Sequence, residues 1–548
     1  MKKWLILFVF FPFSIKAQTQ LKKLKRNERK EKIEIVENLK SHVSYLASDQ
    51  LEGRRTGTKG EILAANYLVE EYRKIGLLPG NNGKYLQEFE YYEGKSYTKK
   101  SYFKINGETL TAEVDYFPLA YSANKTINSN TAIALKEVDN PWFLDLKDIL
   151  EENKNNPHFD VNEVVMKESE KQFKKGANSL ILFNSSSIVD NISFSKFDPS
   201  ATLSRPVIYM PFKSLKKYFK DDITSYDIKL NITIENSSRT GRNIVGFINN
   251  NATHTIILGA HYDHLGFGED KNALDTANDI HNGADDNASG SAALLEIARL
   301  LKTSKLSNHN YLIIHFSGEE LGLIGSKYWL EHPTINISKN YMINMDMVGR
   351  YDTSHKLTIG GYGTSPTWGS VLPKLSSPLI TKIDSSGTGP SDHASFYRKD
   401  IPVLFFFTGS HSDYHKASDD FDKINYEGMA DVVRLIYNII DATNSIQKLE
   451  FTKTKEPEMG RSTRFTVSLG VIPDYGFTGE GVRIDGVSQG KLAERIGLAA
   501  GDILIQLGDY KFTDVMSYMK ALSKFKKGDA TQLIIKRKEE TLHFDISF

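Results

Sequence analysis

Thr255-Ile256-Ile257-Leu258-Gly259-Ala260-His261-Tyr262-Asp263-His264 begins as a short apolar strand and ends in imidazoles and a carboxylate. The run Thr255 to Leu258 lacks polar alternation, the pattern of a strand buried on both faces of its sheet. Outward from it, the chain repeats strand, loop and helix. Ser291 to Leu301 has helical spacing, Tyr311 to Phe316 is the next strand, and a helix follows from about Leu321 to Leu330. Strands at Tyr341 to Met345 and Val403 to Phe407, then a helix at Met429 to Ile440, complete the series. The alternation predicts an α/β fold with a mixed central sheet covered by helices. Ligands in such folds gather where strands run out at their C-terminal edges.

Five segments at those edges carry chemistry. They are Gly259 to His264, Asn282-Gly283-Ala284-Asp285-Asp286-Asn287-Ala288-Ser289-Gly290, Ser317-Gly318-Glu319-Glu320, Asn344-Met345-Asp346-Met347 and Asp413-Tyr414-His415-Lys416. Singly, each has an ordinary reading. His261 reads as a hydrogen-bonded core histidine, Asp285 and Asp286 as helix caps, Glu319 and Glu320 as a solvated helix start, and His415 as a loop residue. Asp346 fits such a reading less well, because a carboxylate after the apolar run Tyr341 to Met345 is costly unless it is paired or metal-bound. Coincidence of all five on one sheet edge favours a joint reading. Imidazole and carboxylate donors suit zinc. A metal pair needs a bridging carboxylate and further ligands on each side, a count that His261, Asp285, Glu320, Asp346 and His415 meet if Asp285 bridges. His411 is an alternative ligand in the same loop as His415.

These segments closely resemble the M28 family of zinc peptidases, aminopeptidases with a phosphorylase/hydrolase-like α/β fold. The likeness covers about residues 36–110 and 236–442 and implies a metal-dependent aminopeptidase with two Zn2+. It implies that His261 and Asp346 bind one zinc, Glu320 and His415 the other, and that Asp285 bridges them across a cis Asp285–Asp286 bond. Glu319 becomes the general base and acid, and Asp263 holds the ring of His261. Tyr-His-Lys-x-Ser-Asp-Asp at 414–420 agrees best with the family's terminal ligand motif, which favours His415 over His411. Ser391-Asp392-His393 resembles a further family motif that organises a loop, against a plain turn. The family also holds carboxypeptidases and glutaminyl cyclases, and a binding protein that keeps the fold without chemistry is a third alternative. The sequence offers no evident basic clamp for a terminal carboxylate. Tyr414 and Phe405-Phe406-Phe407 read either as an apolar pocket or as core.

The chain of 548 residues exceeds what one core normally organises, so two to four domains are expected. Residues 1–17 read as a signal peptide, with Lys2 and Lys3, an apolar stretch Trp4 to Phe13 and a small residue at Ala17. That stretch is too short to span a bilayer, so no stable membrane insertion is expected. The segment and the mature end beginning at Gln18 look like those of Gram-negative secretory proteins, which implies export to the periplasm or medium. Residues 18–110 and 236–445 are assigned to the peptidase domain. Residues 111–235, with short segments such as Thr131 to Leu135 and Ser179 to Phe183, read as an inserted, mainly β domain that resembles a protease-associated domain. A polar linker at 446–464 leads to residues 465–548, which resemble a PDZ domain. Strands are expected there at 465–467, 481–484, 504–507, 532–536 and 542–546, with helices at 491–496 and 515–522. Ser468-Leu469-Gly470-Val471 would be its carboxylate-receiving loop, flanked by Val487 to Ala493 and Gly497 to Leu504. Peptide substrates, and a peptide C-terminus at this module, are the implied partners. The formal charge of +1 gives no electrostatic pull toward nucleic acid, and the absence of cysteine excludes thiol catalysis and thiolate metal sites.

Overall fold

A computed structural model of the chain describes residues 11–154, 159, 161–198, 200–269, 272–275, 279–352, 356–454, 467–473, 480–487, 491–513, 515–522, 524–538 and 540–548. The charged start of the expected signal segment, the linker beyond 454, residues 465 and 466, and Ser488 to Gly490 lie outside these residues. The chain divides into two units, 1–90 with 240–460, and 91–239 with 461–548. No helix among the described residues is long and apolar enough to cross a membrane.

The first unit is built on a mixed sheet. Its strands are β1 (Ile234–Ile248), β2 (His254–His261), β3 (Asn310–Phe316), β4 (Ser338–Met345), β5 (Leu357–Gly360), β6 (Thr381–Ile383) and β7 (Val403–Phe407). They lie in the order β1-β3-β2-β4-β7-β5-β6, with Leu78–Pro79 and Leu86–Tyr97 both paired to β1. β3, β2, β4 and β7 run parallel, so their C-terminal ends share one edge. The outer strand β1 is antiparallel to β3, and β5 is antiparallel to β7.

Successive side chains of β2 enter two different cores. Ile256, Leu258 and Ala260 join a cluster with Leu39, Val43, Leu68, Tyr72, Leu294, Ile297, Ile436 and Ile440. These come from helices α1 (Phe11–Leu46), α2 (Lys59–Ile75), α3 (Gly290–Thr303) and α5 (Tyr426–Thr443). Ile257 faces the opposite side with Leu312, Met342, Trp329 and Phe396, where Trp329 belongs to α4 (Ile324–Glu331). Two covered faces explain the uninterrupted apolar run. α2 is closed at both ends, by the Thr58 hydroxyl accepting from the Glu61 amide and by Gly76 in the left-handed region at φ 81°. The helix expected from Leu321 starts three residues later, after a turn with Leu323 at φ 61°.

In the second unit, residues 91–239 form two four-stranded sheets. One is antiparallel throughout its strands 102–105, 108–109, 125–131 and 226–232. The other holds Pro141–Asp145, Ser179–Phe183 and Val207–Tyr209 in parallel. The stretch expected to be mainly β thus also carries helices Lys147–Asn153 and Val161–Lys174, which lie in the crossover between the parallel strands Pro141–Asp145 and Ser179–Phe183, and a further helix, Phe212–Tyr218, after Val207–Tyr209. The expected strand at 131–135 lies earlier, at Lys125–Thr131. Residues 467–548 form a separate six-stranded sheet with helices Leu492–Arg495 and Val515–Leu522 around Leu469, Ile484, Leu504 and Ile535.

Candidate metal centre

His261 is the last residue of β2, and Asp346 directly follows β4. β3 ends at Phe316, and the chain turns through Gly318 at φ 74° to present Glu319 and Glu320 on the same edge. The His261 Nε2 atom lies 3.3 Å from Asp346 Oδ1, 3.4 Å from Asp286 Oδ1 and 3.9 Å from Glu319 Oε2. On the other side of Asp286, its Oδ2 is 3.2 Å from His415 Nε2, which is also 3.4 Å from Glu320 Oε2. Two sets of donor atoms, from His261, Glu319 and Asp346 and from His264, Asp286 and Glu320, each lie within 4.8 Å of one another.

Asp286, and not Asp285, therefore stands between the two histidines. The Asp285 carboxylate is turned away. Its Oδ1 accepts from the Gly349 amide at 2.7 Å and the Ser289 hydroxyl at 3.1 Å, and its Oδ2 lies 3.2 Å from His411 Nε2. The cis bond likewise falls one residue later than expected, between Asp286 and Asn287. The Asp419 carboxylate fixes this arrangement by accepting from the amides of both Asp285 and Asp286. Gly283 permits the tight turn, since a Cβ there would come 2.1 Å from the Asp286 carbonyl and 2.4 Å from the His264 ring. His411 is thereby the partner of Asp285, and His415 is the histidine beside Asp286 and Glu320.

Asp263 holds less of His261 than expected and more of Glu319. Its carboxylate is 3.7 Å from His261 Nδ1, beyond a hydrogen bond, while its backbone carbonyl lies at 3.2 Å. The carboxylate instead accepts the Glu319 amide at 3.2 Å and the Thr56 hydroxyl at 2.8 Å. The Ser391 hydroxyl accepts from the Asn344 side-chain Nδ2, tying its loop to β4. Asp392 is fully buried, and burial pushes its carboxyl up to about 7.

Three residues were given no role by sequence reasoning. His264, inside a quoted segment, places Nδ1 2.8 Å from Glu320 Oε1 and orients that carboxylate. Asn287 ties the loop to β4, donating to the Met345 carbonyl and accepting from the amides of Gly290 and Met347. Arg54 is 1% exposed and donates to the carbonyls of Leu46, Tyr262, Asn282 and Gly283. In Glu52-Gly53-Arg54-Arg55, two adjacent arginines among polar residues, nothing local marks Arg54 as buried.

Charge in the cluster is strongly correlated. Burial alone would lower the pKa of His261, but Asp346 and Glu319 outweigh it and hold the ring well above its ordinary value. His415 is pushed up to about 9, again against burial, by Glu320 and Asp286. Burial among other carboxylates lifts Glu319 well above the usual range. Asp286 is held well below it, because its imidazole neighbours outweigh burial. So many buried carboxylates call for cations, and the nitrogen and oxygen donors match what zinc accepts.

Residues 243–440 match the family model described as Peptidase family M28, and the whole candidate site lies within that match. This segment is an M28 peptidase domain. Leupeptin-inactivating enzyme 1 of Streptomyces exfoliatus is 31% identical to the chain over 195 residues, 35% of this chain and 41% of that protein. Aminopeptidase YwaD of Bacillus subtilis is 27% identical over 238 residues, 41% and 49% of the two chains. The chain thus spans about half the length or less of these two relatives. Among solved structures, BSAP, a zinc aminopeptidase from Bacillus subtilis, is similar at 18% identity and a TM-score of 0.42, over 76% of this chain and 95% of that one.

Proposed function

We propose that the protein is a zinc-dependent exopeptidase that removes N-terminal residues from peptides. The observation that carries this reading is the Asp286 carboxylate, with one oxygen toward His261 and the other toward His415. His261, Asp286 and Asp346 would hold one zinc, and Asp286, Glu320 and His415 the second. Bound there, the two ions supply Lewis acidity to the scissile carbonyl and bring the pKa of a water toward neutrality. Glu319 takes the proton from the attacking water and delivers it to the departing amine. Asp263 positions Glu319 by accepting its backbone N–H.

In the same reading, residues 1–17 direct export to the periplasm or medium. Residues 111–235 are a protease-associated-like insert, and residues 465–548 are a PDZ-like module. Support for the last comes from Val471–Pro473, which lies at the edge of its sheet, beside Gly470 at φ 79°. An edge strand after such a turn can add a peptide and receive its carboxylate.

Metal analysis together with hydrolysis of leucine amides tests the core of this reading. Two zinc ions per folded chain and release of the first residue are expected. Glu319→Gln should keep both ions and lower kcat by about 10²–10⁴-fold. A folded protein that binds no zinc, or that leaves every free-amine peptide intact, overturns the reading.

A further inference from the structure

A cavity of about 360 Å³ opens from the metal centre along the sheet. Its walls include Glu319 and Asp346 and extend over Phe405 and Phe407 to Lys382. The sheet order fixes how these groups are spaced. Asp346 follows β4, Phe405 and Phe407 stand on β7, and Lys382 stands on β6, with β5 between β7 and β6. Phe407 is in register with Thr358, and Thr358 with Lys382, so the three form one row across the strands. Three strand spacings of about 4.8 Å put the backbone of Lys382 roughly 14 Å from that of β4. The space between is an aromatic ramp: the His393 ring stacks on Phe405 at 4.2 Å, and Phe405 on Phe407 at 5.8 Å.

The cavity thus has carboxylates at one end and an aromatic middle, and at the other end the Lys382 cation stands beside the Asp384 carboxylate. Among the described residues, the Lys382 ammonium makes no hydrogen bond or ion pair within the fold. Asp384, two residues on, accepts the Ser386 amide at 3.0 Å through one oxygen. We propose that this is a zwitterion site, in which Lys382 receives a carboxylate one to three residues from the substrate's α-amine. The proposal rests on the exopeptidase reading above, which places the amine at the metal end. An extended dipeptide sets its two charged ends roughly 7 Å apart and a tripeptide roughly 10 Å. Lys382 lines the same cavity as Phe407, and the length of its side chain, about 6 Å, covers most of the remaining distance. The same cation could take the side-chain carboxylate of an N-terminal glutamate, so the shared chemistry is a carboxylate at short range from a free amine. Long peptides, whose C-terminus lies far outside the cavity, gain nothing from Lys382.

The test compares kcat/KM within matched pairs on the zinc-loaded full chain: Leu-Gly against leucyl-glycinamide, and glutamyl amide against glutaminyl amide. Wild type should prefer the acid member of at least one pair by about two- to fivefold, the range of an ion pair at an exposed lysine. Lys382→Ala should bring that ratio to about one, and Lys382→Glu should invert it. A ratio that moves in the first pair assigns the carboxylate to the peptide's end, and in the second to its first side chain. Ratios that ignore both variants, or a wild-type preference for the amides, overturn the proposal while leaving the exopeptidase reading intact. Failure to release the first residue from any of the four substrates overturns both.

Discussion

A carboxylate that accepts from a backbone amide and a hydroxyl, as Asp285 does from Gly349 and Ser289, has its lone pairs committed to the fold. Asp286 accepts nothing comparable and faces imidazoles on both sides. The two residues should therefore fail differently. Asp286→Asn should lower zinc content below two ions per chain and abolish most turnover, with little change in the metal-free melting temperature. Asp285→Ala should keep both zinc ions but lose about 1–3 kcal/mol of stability, the cost of a buried amide left unpaired. Elemental analysis and thermal melts of the two variants decide it, and the opposite pattern would return the bridging role to Asp285. The sequence made the segment legible but not the choice within it. In Ala284-Asp285-Asp286-Asn287 both aspartates satisfy any spacing rule. The choice is made by Asp419 and Gly349, which the chain brings in from far downstream. His264 and Arg54 escaped for a related reason, since their roles are defined only by what the fold packs against them.

At the scale of elements, β2, β3, β4 and β7 could be read from their apolar runs because burial on both faces leaves no room for polar alternation. The helix Val161–Lys174 could not, because Lys167-Glu168-Ser169-Glu170-Lys171 presents a mostly solvated face with little apolar period. β3 carries a histidine next to its C-terminal end. His315 is fully buried, with Nδ1 2.7 Å from the Tyr72 hydroxyl and Nε2 3.1 Å from the Ser291 carbonyl. The neutral ring satisfies both contacts, with Tyr72 donating to Nδ1 and Nε2–H donating to Ser291. Burial lowers its pKa from 6.5 to about 4. Below pH 6.5 the unfolded chain takes up a proton that the folded one refuses, so stability falls as pH drops from 6.5 to about 4 and then levels off for this group. At 1.36 kcal/mol per decade, the full interval is worth about 3 kcal/mol. His315→Gln, which keeps a donor and an acceptor, should flatten the melting temperature across that interval. A variant whose acid sensitivity matches wild type would show that other groups set it.

For the molecule as a whole, the question is what the C-terminal module adds to the peptidase. Among the described residues, its hydrophobic core, built around Leu469, Ile484, Leu504 and Ile535, shares none with either core of the central sheet. Ending the chain at residue 460 should therefore leave the peptidase core closed, and zinc content and turnover of dipeptides should hold. If the edge strand Val471–Pro473 captures peptide C-termini, it raises the effective concentration of any substrate long enough to reach both sites. The truncated chain should then show a KM about tenfold higher for long peptides, with kcat unchanged, because capture acts before the chemistry. Amidating the C-terminus of the long peptide should reproduce that rise on the full chain and have no effect on the truncated one. Equal KM values for the two chains on long peptides would leave the module without a part in substrate delivery. Because a dipeptide cannot span two sites, the short substrates report only on the cavity beside the metals, and each effect can be read without the other.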